Sequence, residues 1–427
     1  MKSNSASISR RGFLATSAAA GALGCASGIR ASGSALDIEQ SSQGGHGGED
    51  ALVAPQYRGF VKKSVKELPT PALLIDLDIF EHNLQKLASY MKDRPASFRP
   101  HAKAHKSPAV GKLQLASGAK GLCAAKLGEA DVLIRGGIKD VLITAEVVGK
   151  LKIARLMSLL AMTSDVKAVV DNEQNAIDLS EAALASKRRL KVAIDVNVGQ
   201  NRTGLEKPEE VVALAQVIAK QKGLELIGLQ GYGGNNQHVM GFDNRRAREL
   251  QSNERVVEAR HALEKAGFTV QMVSVGGTGS YNIDADYTGV TEIQPGSYIF
   301  MDSHYNKIGG KDTPEFSEFG NSLSVLATVI SRAVAGRAIV DAGGKALSTD
   351  ESTPEPMDIT GATFGVAGDE YGSLRLQNPS RDLKVGDQVQ IMPGHCDTTV
   401  NLHNVFFAVR NGMVEHVWPI EGRGRTD

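Results

Sequence analysis

One pattern constrains the fold of this chain more than any other: short strand-like runs alternate with longer segments of helical period. From about residue 98 onward, each run of β-branched and apolar residues is followed by a segment in which apolar residues recur at helical spacing. The predicted strands are residues 98–103, 121–125, 140–144, 166–170, 191–197, 226–232, 269–276 and 292–300. Because parallel neighbours need long crossovers, eight such strands predict an α/β fold of the TIM-type (β/α)8 barrel class, although a doubly wound sheet would show a similar alternation.

The pattern changes after about residue 311. Short strand candidates separated by turns occupy residues 322–333, 337–340, 374–376, 388–392, 404–409 and 413–418. Strands in series without helices between them are typical of an all-β domain. We therefore predict a barrel over residues 67–310 and a smaller all-β C-terminal domain over residues 311–427, and the early strand at residues 72–77 is a candidate to join the second domain.

The charge balance of the chain argues against nucleic-acid and membrane-surface binding. Its 427 residues include 48 Lys and Arg and 48 Asp and Glu, and no run of like charge stands out. We therefore expect a small-molecule ligand and no nucleic acid. After the N-terminal segment the cysteines are Cys123 and Cys396, which are too few for a disulfide framework.

The N-terminal segment differs in composition from the rest of the chain. Arg10 and Arg11 precede an apolar, alanine-rich run at residues 13–26, and this arrangement resembles a twin-arginine export signal. The run is short for a bilayer span, so we predict a cleaved signal over residues 1–35, a periplasmic location and no membrane span.

Two further features belong to this end of the chain. Cys25 is a poor candidate for lipid attachment, because Ala22 stands where leucine is usual in such sites. Residues 36–66 are predicted to be a linker, since a stretch rich in glycine, serine and glutamine lies within them.

Residues 99–106, Arg-Pro-His-Ala-Lys-Ala-His-Lys, crowd basic side chains at the end of the first predicted barrel strand. Lys103 would leave that strand for a loop, which is where barrel enzymes carry reactive groups. Like charge from His101, His105 and Lys106 is expected to lower the pKa of Lys103, and a neutral amine is the form that condenses with an aldehyde. A solvated basic loop is the alternative interpretation of this segment taken alone.

Other unusual residues also follow predicted strand ends. Arg202 follows the fifth strand, Tyr232 and His238 follow the sixth, and the Gly-Gly-Thr-Gly-Ser segment at residues 276–280 follows the seventh. The carboxyl ends of barrel strands share one rim, so we expect these residues to lie near Lys103. The planar guanidinium of arginine suits a phenolate or a carboxylate.

The glycine-rich segment 276–280 is a candidate phosphate site. Its backbone N–H groups are exposed by the turn, and the loops after strands seven and eight are where such barrels bind phosphate. Gly296, Ser297 or Tyr298 could complete the site, and Tyr298 is equally consistent with a packed core aromatic. A lysine able to bind an aldehyde, a phosphate site, an arginine and an aromatic ring are together what pyridoxal phosphate requires.

Five segments in this order resemble the D-threonine aldolase and D-serine dehydratase family of alanine racemase-like pyridoxal phosphate enzymes, which have fold type III. They are residues 100–106, 276–280, 294–302, 341–348 and 393–397. The resemblance covers roughly residues 69–419. It implies that Lys103 is the Schiff-base lysine, that Tyr232 packs near the pyridine ring and that Arg202 lies near the cofactor phenolate.

The resemblance also implies which residues hold the rest of the cofactor. Gly277 and Thr278, together with Gly296 and Ser297, would hold the phosphate. Gln294 stands where alanine racemases carry an arginine facing the pyridine nitrogen. A neutral group at this position would not force the nitrogen to be protonated, so the strength of the electron sink is left open.

A metal beside the cofactor is the second feature of this family. By resemblance its ligands are His395 and Asp397, in an H-x-[C/D] arrangement with Cys396 between them. The dehydratase branch usually carries cysteine at the second position and binds zinc, whereas the aldolase branch carries aspartate. Because carboxylate and water ligands suit harder ions, we expect Mn²⁺ or Mg²⁺, with Zn²⁺ as an alternative.

The implied reaction is retro-aldol cleavage of D-threonine or a related D-β-hydroxy-α-amino acid to glycine and an aldehyde. Lys103 would exchange for the substrate amine, and the metal would lower the pKa of the β-hydroxyl group. His101, His238 or a metal-bound water could remove the hydroxyl proton, and the sequence does not choose among them.

Alternative functions follow from the same resemblance. A dehydratase acting on D-serine or D-threo-3-hydroxyaspartate would use the same site, and aspartate in place of cysteine argues mildly against it. A racemase or a non-catalytic pyridoxal phosphate carrier is less consistent with the metal motif. Active sites in this superfamily are commonly completed by a second subunit, so we expect a homodimer.

Overall fold

The computed structural model describes residues 55–427. The predicted export signal, Cys25 and the predicted linker as far as residue 54 lie outside the described residues. Within residues 55–427, none of the helices is long and apolar enough to cross a membrane. In chain order the helices up to the second domain are α1 (Pro55–Arg58), α2 (Leu77–Met91), α3 (Pro108–Ala116), α4 (Leu127–Arg135), α5 (Lys150–Met162), α6 (Glu173–Ala185), α7 (Pro208–Lys220), α8 (Phe242–Lys265), α9 (Tyr281–Asp284) and α10 (Ser303–Asn306).

Eight parallel strands form one sheet, in the order β2-β9-β8-β7-β6-β5-β4-β3. After β1 (Ala72–Asp76), these strands are β2 (Ser97–Phe98), β3 (Leu122–Ala124), β4 (Val141–Glu146), β5 (Val166–Val170), β6 (Leu190–Asp195), β7 (Leu224–Gly231), β8 (Met272–Val275) and β9 (Glu292–Ile293). A parallel bridge between His101 and Cys123 joins the two ends of that order. The sheet therefore closes into the predicted TIM-type barrel and is not doubly wound.

The barrel core follows from side-chain alternation along each strand. One apolar residue from each of six neighbouring strands contributes to a small buried cluster, consisting of Cys123, Leu142, Val169, Ala193, Ile227 and Met272. Alternate residues of the same strands belong to a much larger cluster that includes the apolar faces of the helices. Strands buried on both faces explain why their sequences are nearly continuous apolar runs.

A mostly antiparallel sheet forms the second domain. Its strands after β1 are β10 (Leu323–Val334), β11 (Arg337–Val340), β12 (Glu355–Pro356), β13 (Ala362–Val366), β14 (Gly372–Leu376), β15 (Gln388–Met392), β16 (Val405–Arg410) and β17 (Met413–Pro419), and helix α11 (Cys396–Val400) lies between β15 and β16. Strand β1 pairs with β10 and with β16. The strands missing from the sequence prediction are β12, which has two residues, and β13, most of whose side chains are partly or fully exposed.

The later part of the predicted linker is packed against this sheet, which corrects its assignment as linker from residue 55 to residue 66. Tyr57 and Phe60 each make edge contacts with Phe407, at ring-centroid distances of 6.2 and 5.8 Å. Val61 and Val65 pack against the same apolar cluster. Apolar side chains at this spacing are held by burial, so the chain is ordered before β1 begins.

Two barrel strands are shorter than predicted, and this shapes the site. The predicted strands 98–103 and 292–300 correspond to the two-residue strands β2 and β9, and tight 3-10 turns follow at Ala102–Ala104 and Ser297–Ile299. Pro100 and Pro295 have no N–H group to continue a strand ladder. The chain therefore turns at the carboxyl rim, and within these largely buried turns the side chain of Lys103 is partly exposed.

Candidate active site

Lys103 lies in the turn that follows β2, at the carboxyl rim of the barrel. Its neighbours Ala102 and Ala104 are fully buried, whereas the side chain of Lys103 is 39% exposed. Its Nζ atom lies 3.3 Å from Oδ2 of Asp397, which comes from α11 of the second domain. The turn thus anchors the lysine on both sides and directs its amine toward the other domain.

The electrostatic environment of Lys103 is the reverse of the expected one. Tyr232 and Asp397 raise the pKa of Lys103 above its ordinary value. Burial lowers the pKa of His105 to about 4, so that ring is neutral near pH 7, and Lys106 is paired with Glu129. The predicted lowering by neighbouring cations was therefore wrong, because those neighbours are neutral or already paired.

A cavity of about 350 Å³ opens beside Lys103. This volume lies in the range of small-molecule sites. The side chains that line it include the predicted His101, Lys103, Arg202, Tyr232 and Gln294, with Lys126, Thr144, Glu146, Thr203 and Gln230. The structure therefore brings together residues from six separate strand ends.

Arg202 and Tyr232 form one wall of this cavity. The guanidinium carbon of Arg202 lies 5.5 Å from the ring centroid of Tyr232, which is a cation–π distance. This contact joins the segments after β6 and β7 and presents a cation and an aromatic face to the same space.

Gln294 has a free hydrogen-bond acceptor, its side-chain carbonyl oxygen, because both hydrogens of its amide group are donated to other side chains. Its Nε2 donates to Oγ of Ser274 at 2.9 Å and to Oε1 of Gln230 at 3.3 Å. Gln230 in turn donates to Oδ1 of Asp195 at 2.9 Å. This chain of hydrogen bonds fixes the orientation of Gln294 and leaves its carbonyl oxygen available.

The glycine turn after β8 is a close-packed backbone. A Cβ on Gly276, whose φ is +65°, would lie 1.8 Å from Oδ2 of Asp284, and one on Gly279 would lie 2.0 Å from the carbonyl oxygen of Gln237. The N–H of Gly277 donates to Oγ of Ser280 at 3.3 Å. The amide of Gly277 is thus used within the turn.

The turn is adjacent to the other predicted phosphate residues. The N–H of Tyr298 donates to Oγ1 of Thr278 at 3.1 Å, and a Cβ on Gly296 would lie 3.3 Å from the carbonyl oxygen of His101. Ser297 Oγ donates to Oδ1 of Asp397 at 3.4 Å. Tyr298 itself is fully buried and is therefore a core aromatic.

His101 has both ring nitrogens engaged. Its Nδ1 accepts from the N–H of Lys103 at 3.4 Å, and its Nε2 lies 3.1 Å from Oγ1 of Thr144. That hydroxyl donates to the carbonyl oxygen of Ala124, so the imidazole is the donor toward Thr144. Burial, with Lys103 adding to it, holds the pKa of His101 well below its usual range.

His238 is a neutral ring with a free nitrogen. It stacks on His304 at a centroid distance of 4.0 Å and contacts Tyr305 at 4.3 Å. Burial, His304 and His395 lower the pKa of His238 to about 3. Its Nε2 is buried and has no hydrogen-bond partner among residues 55–427, so it remains able to accept a proton from a ligand.

The two predicted metal ligands lie at the start of α11. Nδ1 of His395 lies 3.0 Å from Oδ2 of Asp350, an arrangement that orients a histidine and leaves its Nε2 for a metal. Burial opposes ionisation of Asp397, but Lys103 and His395 outweigh it and hold the pKa of Asp397 well below its usual range. One imidazole nitrogen and one carboxylate fit a divalent ion that keeps open positions.

Residues 75–304 match the family of the alanine racemase N-terminal domain, and residues 322–409 match a serine dehydratase domain. The chain is 39% identical to a 3-hydroxy-D-aspartate aldolase of Paracoccus denitrificans (strain Pd 1222), over 84% of this chain and 93% of that protein. The chain belongs to the D-threonine aldolase and D-serine dehydratase family. This family is part of the alanine racemase-like pyridoxal phosphate enzymes.

Other members of the family are also similar to this chain. A D-threonine aldolase of Arthrobacter sp is 36% identical over 83% of this chain and 93% of that protein. The crystal structure of D-threonine aldolase from Filomicrobium marinum is similar at a TM-score of 0.82 and 38% identity, covering 85% of this chain and 98% of that one. A D-threo-3-hydroxyaspartate dehydratase of a Delftia species is 27% identical over 78% of this chain and 92% of that protein. The aldolases of the family are thus nearer in sequence than this dehydratase.

Several acidic residues in or near the candidate site were missed by the sequence analysis. Glu146 and Asp195 end strands β4 and β6. The available signal was a carboxylate just after the predicted strand 140–144 and one inside the predicted strand 191–197. Burial and Asp195 raise the pKa of Glu146 to about 7. Asp350 and Glu351 carry oxygens that lie within 4.8 Å of the His395 ring nitrogen and of each other, but they follow the 341–348 segment and gave no signal of their own.

Proposed function

We propose that this protein is a pyridoxal phosphate-dependent lyase that cleaves D-β-hydroxy-α-amino acids to glycine and an aldehyde with the help of a divalent metal. D-Threonine and 3-hydroxy-D-aspartate are the substrates suggested by its relatives. The observation that carries the proposal is the 3.3 Å approach of Lys103 Nζ to Asp397. At this distance the candidate cofactor lysine lies beside the candidate metal carboxylate.

The residues present fit the cofactor. Lys103 supplies an amine for the aldehyde, Tyr232 an aromatic face and Arg202 a cation beside it, and the turn at residues 276–280 is so close-packed that only glycine is accommodated at Gly276 and Gly279. Pyridoxal phosphate supplies an electron sink for the charge left at Cα when the Cα–Cβ bond breaks.

The carboxylate of Asp397 is placed to interact both with the ammonium group of Lys103 and with the proposed metal ion. In the structure it pairs with Lys103, and it lies near enough to His395 to affect its pKa. A divalent ion held by His395 and Asp397 would therefore compete with the ammonium group of Lys103 for the same carboxylate. We propose Mn²⁺ or Mg²⁺ for this position, with Zn²⁺ as an alternative, because a carboxylate and an imidazole suit these ions.

His238 is the better candidate for removing the proton of the substrate β-hydroxyl. Its ring is neutral and its buried Nε2 is free among the described residues. His101, the other histidine candidate, uses Nδ1 to accept from the N–H of Lys103 and Nε2 to donate to Thr144. We propose that His101 instead positions the lysine turn.

Cys396 does not take the place of a thiolate ligand. Its side chain is fully buried, and its N–H donates to Oδ2 of Asp302 at 2.8 Å. Burial raises the pKa of the Cys396 thiol well above its usual value. Because Cys396 is not a ligand and Asp397 holds the second position of the motif, the aldolase is favoured over the dehydratase alternative, in which a cysteine at that position binds zinc. Export to the periplasm and a homodimer remain proposals made from the sequence.

Product analysis tests the proposal. Purified protein reconstituted with pyridoxal phosphate would be incubated with D-threonine, 3-hydroxy-D-aspartate or D-serine, with Mn²⁺ or with a chelator. We expect metal-dependent release of glycine and the matching aldehyde from the first or second substrate. Lys103→Ala is the control and should release neither. Keto acid and ammonia in place of glycine would instead establish the dehydratase.

A further inference from the structure

The chain after β17 returns to the barrel and contacts the loop that carries Lys103. The N–H of Gly422 donates a hydrogen bond to the carbonyl oxygen of Lys106 at 2.8 Å. Gly422 is buried, and a Cβ on it would lie 2.9 Å from that oxygen and 3.0 Å from Cβ of Lys106. Segment 420–427 therefore packs directly against the residue three positions after Lys103, and the contact leaves no room for a residue larger than glycine.

Lys106 ends the lysine turn in a conformation that its neighbours must hold. Its φ is +52°, in the left-handed region that a residue with a side chain rarely adopts. Its N–H donates to the carbonyl oxygen of Ala102 at 2.7 Å. Its ammonium group pairs with Glu129, whose Oε2 accepts from the N–H of Ala125 at 2.7 Å. Since a strained residue persists only where its surroundings fix it, the bond from Gly422 helps to hold the end of this turn.

The same segment is bonded to the helix that carries Asp397. The N–H of Gly424 donates to Oδ1 of Asn401 at 2.9 Å. Asn401 is the residue that caps the C-terminal end of α11, and Asp397 lies in the first turn of that helix. Helix α11 has five residues and the turn around Lys103 has three. Helices this short are not stable by themselves, so contacts from elsewhere must fix their relative position.

Segment 420–427 is itself anchored to the barrel on helices α4 and α5. The N–H of Gly128, on α4, donates to the carbonyl oxygen of Asp427 at 2.9 Å. The carboxylate of Asp427 pairs with Arg155 of α5, and Nη2 of Arg425 lies 3.5 Å from Oδ2 of Asp131 on α4. Exposed ion pairs contribute little individually, so we expect the backbone hydrogen bonds of the segment to provide most of its attachment.

We propose that segment 420–427 is a positioning element of the candidate site, which holds the lysine turn and the end of α11 in register so that Lys103 can bind the cofactor. The residues that it bonds, Lys106 and Asn401, are three and four positions from Lys103 and Asp397, whose Nζ and Oδ2 atoms lie 3.3 Å apart. The inference rests on the proposed function, in which these two side chains meet the cofactor and the metal. Release of the segment is expected to loosen the lysine turn and lower cofactor affinity without altering a residue that lines the cavity.

Cofactor binding by matched variants tests this inference. Apoprotein would be titrated with pyridoxal phosphate, and the dissociation constant taken from the absorbance of the bound cofactor. Gly422→Ala should weaken binding about tenfold or more, because the added Cβ displaces Lys106. Asn401→Ala removes the acceptor of the Gly424 N–H and should weaken binding about three- to tenfold, whereas Asn401→Asp keeps an oxygen there and should restore most of the affinity. Gly365→Ala is the control and should bind as the wild type does, since its Cβ would meet nothing within 4 Å.

Hydrogen exchange of the apoprotein separates this inference from the proposed function, because it needs no cofactor. The amides of residues 102–106 should exchange faster in Gly422→Ala and Asn401→Ala than in the wild type, and at the wild-type rate in Gly365→Ala. Wild-type cofactor affinity in the first two variants, with or without a loss of thermal stability, would overturn the inference, and so would wild-type exchange rates. If Gly422→Ala does not fold, the two Asn401 variants decide. Failure of the wild type itself to bind pyridoxal phosphate at Lys103 would instead refute the proposed function, and the exchange rates would still decide whether the segment holds the turn.

Discussion

At the scale of single residues, the contacts of each side chain matter more than its sequence neighbours. Three basic residues flank Lys103 in the chain, yet Tyr232 and Asp397 from distant segments raise its pKa. His101 and His238 were equal candidates from sequence, and their hydrogen bonds separate them.

This difference between the histidines predicts different kinetic defects. His238→Asn should lower kcat on D-threonine about 10²-fold or more while leaving cofactor binding intact, as expected for the loss of a general base. His101→Asn should weaken binding of the cofactor at Lys103, because it disturbs the lysine turn. Steady-state kinetics and cofactor titration of both variants make the comparison. Equal kcat for His238→Asn and wild type would contradict the assignment.

The raised pKa of Glu146 predicts that the free energy of unfolding changes with pH. Burial and Asp195 raise its pKa to about 7. A carboxyl whose pKa is raised on folding favours the folded state at low pH. This contribution to stability is lost as the pH rises from about 4.5 to about 7. Glu146→Gln removes the titration and should stabilise the protein at about pH 8 by an amount on the order of 2 kcal/mol relative to its effect at about pH 4. Thermal unfolding of both proteins at the two pH values measures this, and a constant difference would count against it.

At the scale of elements, a glycine turn and the start of one short helix position the site. The turn after β8 and the start of α11 contribute the candidate phosphate and metal groups, and each depends on a close backbone approach or a single side-chain pair. Both elements were found from sequence as motifs, although their contacts were not.

The glycine turn predicts that an added methyl group will be costly. A Cβ on Gly279 would lie 2.0 Å from a backbone oxygen, whereas one on Gly365 in β13 meets nothing within 4 Å. Gly279→Ala should therefore destabilise the protein by roughly 1–3 kcal/mol and weaken cofactor binding, while Gly365→Ala should change neither appreciably. Thermal unfolding and cofactor titration provide the two measurements, and identical behaviour of the two variants would argue against the close approach.

The proposed metal ligand at the start of α11 predicts that substitution of Asp397 will change which metal ion the protein prefers. Asp397→Cys replaces a carboxylate by a thiolate, which favours Zn²⁺ over Mn²⁺. We expect the ratio of bound Zn²⁺ to Mn²⁺ to rise about tenfold or more, as measured by elemental analysis after dialysis against both ions. Cys396→Ser, which alters the neighbouring buried cysteine, is the control. An unchanged ratio in Asp397→Cys would show that residue 397 does not bind the metal.

At the scale of the whole molecule, the first strand joins the two halves of the chain. β1 precedes the barrel in sequence but lies inside the sheet of the second domain, antiparallel to β10 and parallel to β16. The described part of the chain thus passes from the sheet of the second domain through the barrel and back to that sheet.

This topology predicts that removal of β1 will unfold more than the N-terminus. A chain that begins at residue 77 would leave the edges of β10 and β16 unpaired, so it should lose cooperative unfolding and resist proteolysis poorly. A chain that begins at residue 55 keeps the packed residues before β1 and should unfold as the full-length protein does. Calorimetry and limited proteolysis of the two chains compare these outcomes.

The sequence by itself determined the features that depend on local order. Strand and helix periods recur within a few residues, so the barrel and most strands of the second sheet were predictable, and the lysine, glycine and His-x-Asp motifs are contiguous segments. The family was recognisable for the same reason.

Tertiary structure decided what depends on residues far apart in the chain. The raised pKa of Lys103 and the Nε2 of His238, which has no hydrogen-bond partner among the described residues, each arise where different elements meet. The place of β1 was likewise settled by pairing with strands about 250 residues or more further on. Burial and hydrogen bonding set these properties, and both depend on which side chains the fold brings together rather than on which are adjacent in sequence.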